Sequence, residues 1–166
     1  TFEHLYKYCY KVASVVGLMT SEIFGYSDKV ALSHAIDLGI AMQLTNICRD
    51  VGEDADKNRI YLPSDECISF GLSQEDILNK RRSKAFSDLI EFQIERALRY
   101  YESADKGIPY LSKDSRLTVR LMSTNYRRIL YKIRKNDYDV FTKRASLSVS
   151  EKVLAVPRAL IRNFVS

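Results

Sequence analysis

The chain has 166 residues, 28% of them charged and 46% hydrophobic, with a formal net charge of +5. That length suits one domain with a single core, and no apolar run approaches the roughly 20 residues that a bilayer-spanning helix needs. Cys9, Cys48 and Cys67 are far apart and form no CxxC pair, which argues against a disulfide framework or a zinc site and for buried thiols in a reducing compartment.

With only three prolines and six glycines, the chain has few helix breakers. Residues 3–24 read as a first helix, with Leu5, Tyr8, Val12, Val15, Val16 and Met19 as its apolar stripe. The chain opens inside this helix and shows no signal peptide, so the true N-terminus is expected upstream. Gly25 stops the helix, and Ser27 or Asp28 caps a second one over 28–55. Its apolar positions are Val30, Ala31, Ala35, Leu38, Ile40, Ala41, Leu44 and Ile47. A polar exit ends in Tyr61-Leu62-Pro63, where Pro63 disfavours helix at Leu62. A short helix after Ser64 breaks at Phe70-Gly71, and Ser73 with Asp76 forms a capping box for the next. A long helix then covers 81–106, with Phe86, Leu89, Ile90, Ile94, Ala97, Leu98 and Tyr101 on one stripe and Gly107-Ile108-Pro109 at its end. Another covers 114–135 and stops at Asn136-Asp137. A last one begins near Ser148 or Ser150, and Pro157 kinks or restarts it. Strand alternation, internal repeats and low-complexity segments are absent, so the fold class is all-α.

Charge divides unevenly. Residues 1–76 carry 6 Lys/Arg against 12 Asp/Glu, and residues 77–166 carry 20 against 9. This fits an acidic metal-binding half and a basic half facing anions, or simply solvated helix faces.

The segment QLTNICRDVGEDADKNRIYLP, residues 43–63, carries the most chemistry. At 3.6 residues per turn Asn46, Asp50 and Asp54 lie one above another on one helix face, with Gln43 a turn earlier and Glu53 adding a third carboxylate. Like charges at this spacing repel, and the repulsion grows in a cleft, so a cation is expected. Mg²⁺ takes oxygen ligands and shares phosphate oxygens, and Arg49 and Arg59 suit phosphate beside it. The plainer alternative is an exposed acidic helix end paired with Lys57 and Arg59. Glu91 and Glu95 have the same spacing and are assigned no function. Cys48 points off the acidic face and reads as buried packing.

Three blocks shift this balance. LGIAMQLTNICRDVGEDADKNRIYLP at 38–63 resembles the second aspartate-rich signature of squalene and phytoene synthases. YCYKVASVVGLM at 8–19 resembles the family's other signature, in the expected order and separation. NYRRILYKIRKNDYDVFTKRA at 125–145 resembles the C-terminal part of phytoene synthases in particular.

The resemblance implies an isoprenoid-synthase-type helical bundle around an apolar cavity, with residues 1–166 as the C-terminal portion of one such domain. The first aspartate-rich motif would lie upstream of Tyr8, and residues 1–166 alone would be inactive and prone to associate. The implied reaction joins two geranylgeranyl diphosphates head to head, through prephytoene diphosphate, to phytoene. It needs Mg²⁺, with Mn²⁺ as an alternative, and no NADPH. The resemblance makes Asn46, Asp50 and Asp54 metal ligands, and Arg49, Tyr8, Gln43, Arg59 and Tyr61 diphosphate-side groups. Val12, Gly17, Leu38, Gly39 and Met42 would line the prenyl wall. For Val12, Leu38 and Met42 ordinary core packing is the alternative; for Gly17 and Gly39 it is close helix packing. If Gly39 instead leaves room for the tail, Gly39→Phe would shift preference toward shorter substrates. Tyr126 and either Lys143 or Arg144 would also reach the diphosphate, the alternative being a solvated basic turn. A cytoplasmic or plastid-type compartment is expected, with a membrane surface nearby to receive the product.

Two other readings stay open. Dehydrosqualene, hydroxysqualene and squalene synthases share the signatures and act on farnesyl diphosphate. A non-catalytic family member could serve as an assembly protein. No recognised nucleic-acid motif accompanies the basic half, so no nucleic-acid partner is expected.

Overall fold

The structure, a computed structural model, describes residues 1–153. The proposed effect of Pro157 therefore lies outside the described residues. Among these residues the chain is helical, and the β interaction present is one isolated antiparallel bridge between Tyr26 and Leu111. The all-α expectation is met.

The first helix is not uniform. α1 spans Phe2–Cys9, a π-helical turn spans Tyr10–Ser14, and α2 spans Val15–Phe24. Each turn of π-helix holds one more residue than an α-helical turn, so the buried face changes register there. Leu5, Cys9, Ser14 and Ser21 are buried. The expected stripe of Val12, Val15, Val16 and Met19 is instead exposed, from 38% at Val15 to 64% at Met19. Gly25 ends α2 at φ 75°, a left-handed geometry that glycine adopts without Cβ strain.

α3, Val30–Ala55, is the central element. Asp28 starts it by accepting a hydrogen bond from the Val30 N–H at 2.8 Å. It packs on the π turn and α2 on one side and on the later long helices on the other. α4 spans Ser64–Ser69 and α5 spans Gln74–Leu78. The capping box at α5 is formed, with Ser73 Oγ accepting from Asp76 N–H at 3.1 Å and Asp76 accepting from Ser73 N–H at 2.9 Å. α6 spans Lys84–Asp105 and begins three residues later than expected, because the Ser83 side chain caps it through the Phe86 N–H. A 3₁₀ turn at Ile108–Tyr110 leads into α7, Lys113–Lys135. α8, Val149–Val153, is tied back to α7 by an ion pair of Lys132 with Glu151 at 3.1 Å.

The core sits between α3, α6 and α7. Ile40, Leu44, Ile47 and Cys48 meet Leu89, Ile90, Ile94, Ala97 and Tyr101, closed by Leu130 and Ile133. The Thr45 and Tyr101 hydroxyls pair at 2.9 Å inside it, and Thr45 also donates to Ala41 O, so these buried oxygens keep partners. Glu91 and Glu95 both pair with Arg134 of α7. That explains their spacing without any ligand.

All three cysteines are free and buried. Burial pushes the Cys9 and Cys48 thiols up to about 12 and Cys67 to about 11. Since the thiolate is the reactive form, none of the three is expected to react with Ellman's reagent at pH 8 within minutes in the native protein. All three should react at once in denaturant, and rapid native labelling would contradict the burial of these residues.

Candidate active site

The site is built from one face of α3. Asn46 donates from Nδ2 to Gln43 Oε1 at 3.3 Å, while its Oδ1 is buried without a partner among the described residues. One turn on, Asp50 Oδ1 accepts from Arg49 Nε at 2.7 Å and from Arg144 Nε at 3.0 Å, and Oδ2 accepts from Arg49 Nη2 at 2.5 Å. Burial pushes the Asp50 carboxyl up, but the Arg49 hydrogen bonds and the charges of both arginines outweigh it and leave it below the usual range. Asp54 has no cation within ion-pair distance among the described residues. Burial and then the Asp50 charge push its carboxyl up, and Lys57 and Arg59 offset this only in part. The acidic end is thus not the simple ion-paired surface of the plainer reading.

This asymmetry has a consequence without metal. Folding raises the Asp54 carboxyl above its unfolded value of 3.8. The folded state therefore prefers the proton, and the ionised carboxylate costs stability at pH above the folded value. Asp54→Asn in EDTA is expected to melt at a higher temperature than wild type at neutral pH. The gap should close as pH falls below 3.8. A gap that does not change with pH would show that the effect is not ionic.

Tyr8 and Tyr61 stack at the same end, with centroids 5.3 Å apart and planes 25° from parallel. Burial, the Tyr61 hydroxyl and the Asp54 charge together push the Tyr8 phenol up. Arg59 is exposed, and its backbone N–H donates to Asp54 O at 2.9 Å. Tyr126 is half-buried against the main core. Arg144 lies on Asp50 and, at 2.7 Å, on Glu53, whereas Lys143 is exposed.

A groove of about 370 Å³ runs from Asn46 and Gln43 along α3 and α2. Val12, Gly17, Leu38, Gly39 and Met42 all line it. Its far end adds Phe24, Ala31, His34, Ile108 and Leu111, none of which the sequence placed in a site. Thr20 and Ser21 also face it, and both spend their hydroxyls on carbonyls one turn back, Val16 O and Gly17 O. Their hydrogen-bonding capacity is thereby turned into the helix. A second recess of about 480 Å³ between α1, α4 and α5 shares only Tyr8 and Tyr61 with the site and has no carboxylate in its wall. It is larger, and the groove has no carboxylate in its wall either, but the groove's end at Gln43 and Asn46 lies one helical turn before Asp50.

The two glycines of the wall are close-packing positions. A Cβ on Gly39 would lie 2.6 Å from Ser14 N and Cα, and one on Gly17 would lie 3.0 Å from Ala35 O. Gly39→Phe therefore cannot narrow the groove without first parting the helices. Gly52, not singled out in the sequence, is a third. Its bare face admits Val140 O to 2.6 Å of the Cβ position, which brings the segment after α7 alongside Asp50.

Among the described residues no three His, Cys, Asp or Glu side chains group into a metal cage. The donors at hand are two carboxylates and the unpartnered Asn46 carbonyl oxygen. This set fits a hard divalent ion that completes its shell with water and phosphate oxygens, and it does not fit zinc. No described helix is long and apolar enough to cross a membrane.

Comparison with known proteins gives the family. The squalene/phytoene synthase family profile matches residues 1–151. The chain is 45% identical over 170 residues to a chloroplastic phytoene synthase 1 of Solanum lycopersicum, covering 99% of this chain and 41% of that protein. It is 42% identical over 174 residues to a 15-cis-phytoene synthase of Synechococcus elongatus, covering 98% and 56%. A crystal structure of a dehydrosqualene synthase in complex with ligand superposes with a TM-score of 0.93 at 31% identity, covering all of this chain and 59% of that one. This chain thus spans about half the length of the relatives it matches. These matches establish that the chain belongs to the squalene/phytoene synthase family.

Proposed function

We propose that this chain supplies the diphosphate-ionising face and the prenyl groove of a head-to-head prenyltransferase that makes phytoene, and that residues 1–166 are a portion of one such domain. The observation that carries this reading is the juxtaposition of Gln43 and Asn46 with an apolar groove on one side and Asp50 and Asp54 on the other. A diphosphate at the acidic end would place its allylic tail in the groove.

The reaction consumes two geranylgeranyl diphosphates. One loses diphosphate to leave an allylic cation. The double bond of the other attacks it, and proton loss closes a cyclopropane to give prephytoene diphosphate. A second loss of diphosphate, rearrangement and proton loss give phytoene. Mg²⁺, held by Asn46, Asp50 and Asp54, would stabilise the charge that develops on the departing diphosphate. Arg49, Arg59 and Arg144 add positive charge on that side. Tyr8, Tyr61, Tyr126 and Gln43 offer neutral donors. Val12, Leu38 and Met42 shield the cation from water, and the backbone at Gly17 and Gly39 closes that wall. The chloroplastic relatives support a plastid-type location, and release of an apolar product would be eased at a membrane surface.

The test is product analysis of the full-length protein with geranylgeranyl or farnesyl diphosphate, Mg²⁺, and with or without NADPH. Phytoene from the longer substrate without NADPH is expected. A C30 product from farnesyl diphosphate alone would favour the second reading, which the superposition with a dehydrosqualene synthase supports.

A further inference from the structure

Arg144 has a fixed backbone and a half-exposed head. Just after α7 the chain turns through Asp137 and Tyr138, at φ 53° and 56°. Asp139 then accepts from the Thr142 N–H at 3.0 Å and from its hydroxyl at 2.5 Å. Phe141 stacks on Phe86 with centroids 4.3 Å apart, and Val140 and Phe141 press on the bare face of Gly52. Phe141 and Ala145 are both buried. Their contacts hold the backbone of residue 144 beside Asp50, and none of them uses its guanidinium.

The two arginines on Asp50 differ in what holds them. Arg49 grips both carboxylate oxygens, and its side chain is 15% exposed. Arg144 reaches Asp50 through Nε alone, shares it with Glu53, and is 47% exposed. Releasing Arg49 would strand a half-buried charge, whereas Arg144 can turn into water at little cost. Asp50 Oδ1 accepts from both arginines, and the neighbouring Asp54 has no cation on it among the described residues.

We propose that Arg144 is a placeholder cation: it neutralises Asp50 and Glu53 while no metal is bound, and it releases Asp50 and turns to the diphosphate when Mg²⁺ and diphosphate arrive together. This rests on the reading of Asp50 and Asp54 as metal–diphosphate ligands. Arg144 then acts as a positioning residue with opposite effects in the two states. Without diphosphate it competes with the metal for Asp50. With diphosphate its charge has a new partner and favours the loaded state. The site would thus resist metal alone and accept metal with diphosphate.

Mn²⁺, followed by electron paramagnetic resonance, is the probe, used with the full-length protein. Free Mn²⁺ is titrated against wild type, Arg144→Gln, Arg144→Lys and Asp54→Asn, first alone and then with inorganic pyrophosphate. Arg144→Gln is expected to bind Mn²⁺ alone about fivefold more tightly, the scale of one exposed ion pair. It should bind Mn²⁺ with pyrophosphate about tenfold more weakly, the scale of one charge-assisted hydrogen bond. Arg144→Lys should stay near wild type in both. A purely structural role would weaken both, and that result overturns the proposal. So does unchanged Mn²⁺ affinity in Arg144→Gln while Asp54→Asn loses binding, which would leave the metal reading standing. If Mn²⁺ binds none of the four proteins, with or without pyrophosphate, the metal reading itself falls, and this proposal falls with it.

Discussion

Asp54→Asn in the full-length protein is expected to lower turnover by about a thousandfold or more without loss of stability. Losing a metal-linked stabilisation of the leaving group costs several kcal/mol, and each tenfold in rate is about 1.4 kcal/mol. Asp54 has no ion-pair partner to lose among the described residues, and its charge is disfavoured by burial and by Asp50. Asp50→Asn should lose turnover to a similar degree but behave differently as a folded protein. Its removal takes a two-pronged partner from Arg49, which is only 15% exposed. Leaving that charge half-satisfied costs about 1–3 kcal/mol. Steady-state kinetics with urea denaturation of both variants checks the pair. Near-normal turnover in either would remove these carboxylates from the mechanism, and equal stability changes would contradict the asymmetry between them.

Gly39→Ala is expected to destabilise the fold by about 2–3 kcal/mol or more, the range of overpacked cores. The new Cβ would lie 2.6 Å from the Ser14 backbone, which has no flexible end to move. The same crossing is held by Ser14 Oγ donating to Ile36 O at 2.8 Å, so separating the helices also breaks that bond. Gly17→Ala meets Ala35 O at 3.0 Å and should cost less. Urea midpoints of the two variants give the order. A Gly39→Ala protein of wild-type stability with an altered chain-length preference would return Gly39 to the role of a spacer for the prenyl tail.

The helices were legible where periodicity ran without interruption. α3 is the best case, and its polar residues stand out because an otherwise apolar pattern carries them at three- and four-residue steps. Spacing alone could not separate Asp50 and Asp54 from Glu91 and Glu95. What separates them is that Arg134 pairs with both glutamates, a contact 39 to 43 residues away in the chain. The seat of Arg144 on Asp50 spans 94 residues, and no local pattern encodes it. Gly52 was missed for the same reason, since its packing partner lies after α7. Buried Ser14, Ser21 and Thr45 read as polar in sequence, yet each bonds a carbonyl oxygen and can sit inside.

The wide turn at Tyr10–Ser14 is also a frame marker. An α-helix advances about 100° per residue, so deleting one residue there would restore regular α-helical hydrogen bonding while swinging everything before it by about that angle. Leu5 and Cys9 would leave the core, and Tyr8 would leave Tyr61. A one-residue gap in this turn is therefore more damaging than a conservative substitution within it, because it shifts every residue of α1 at once.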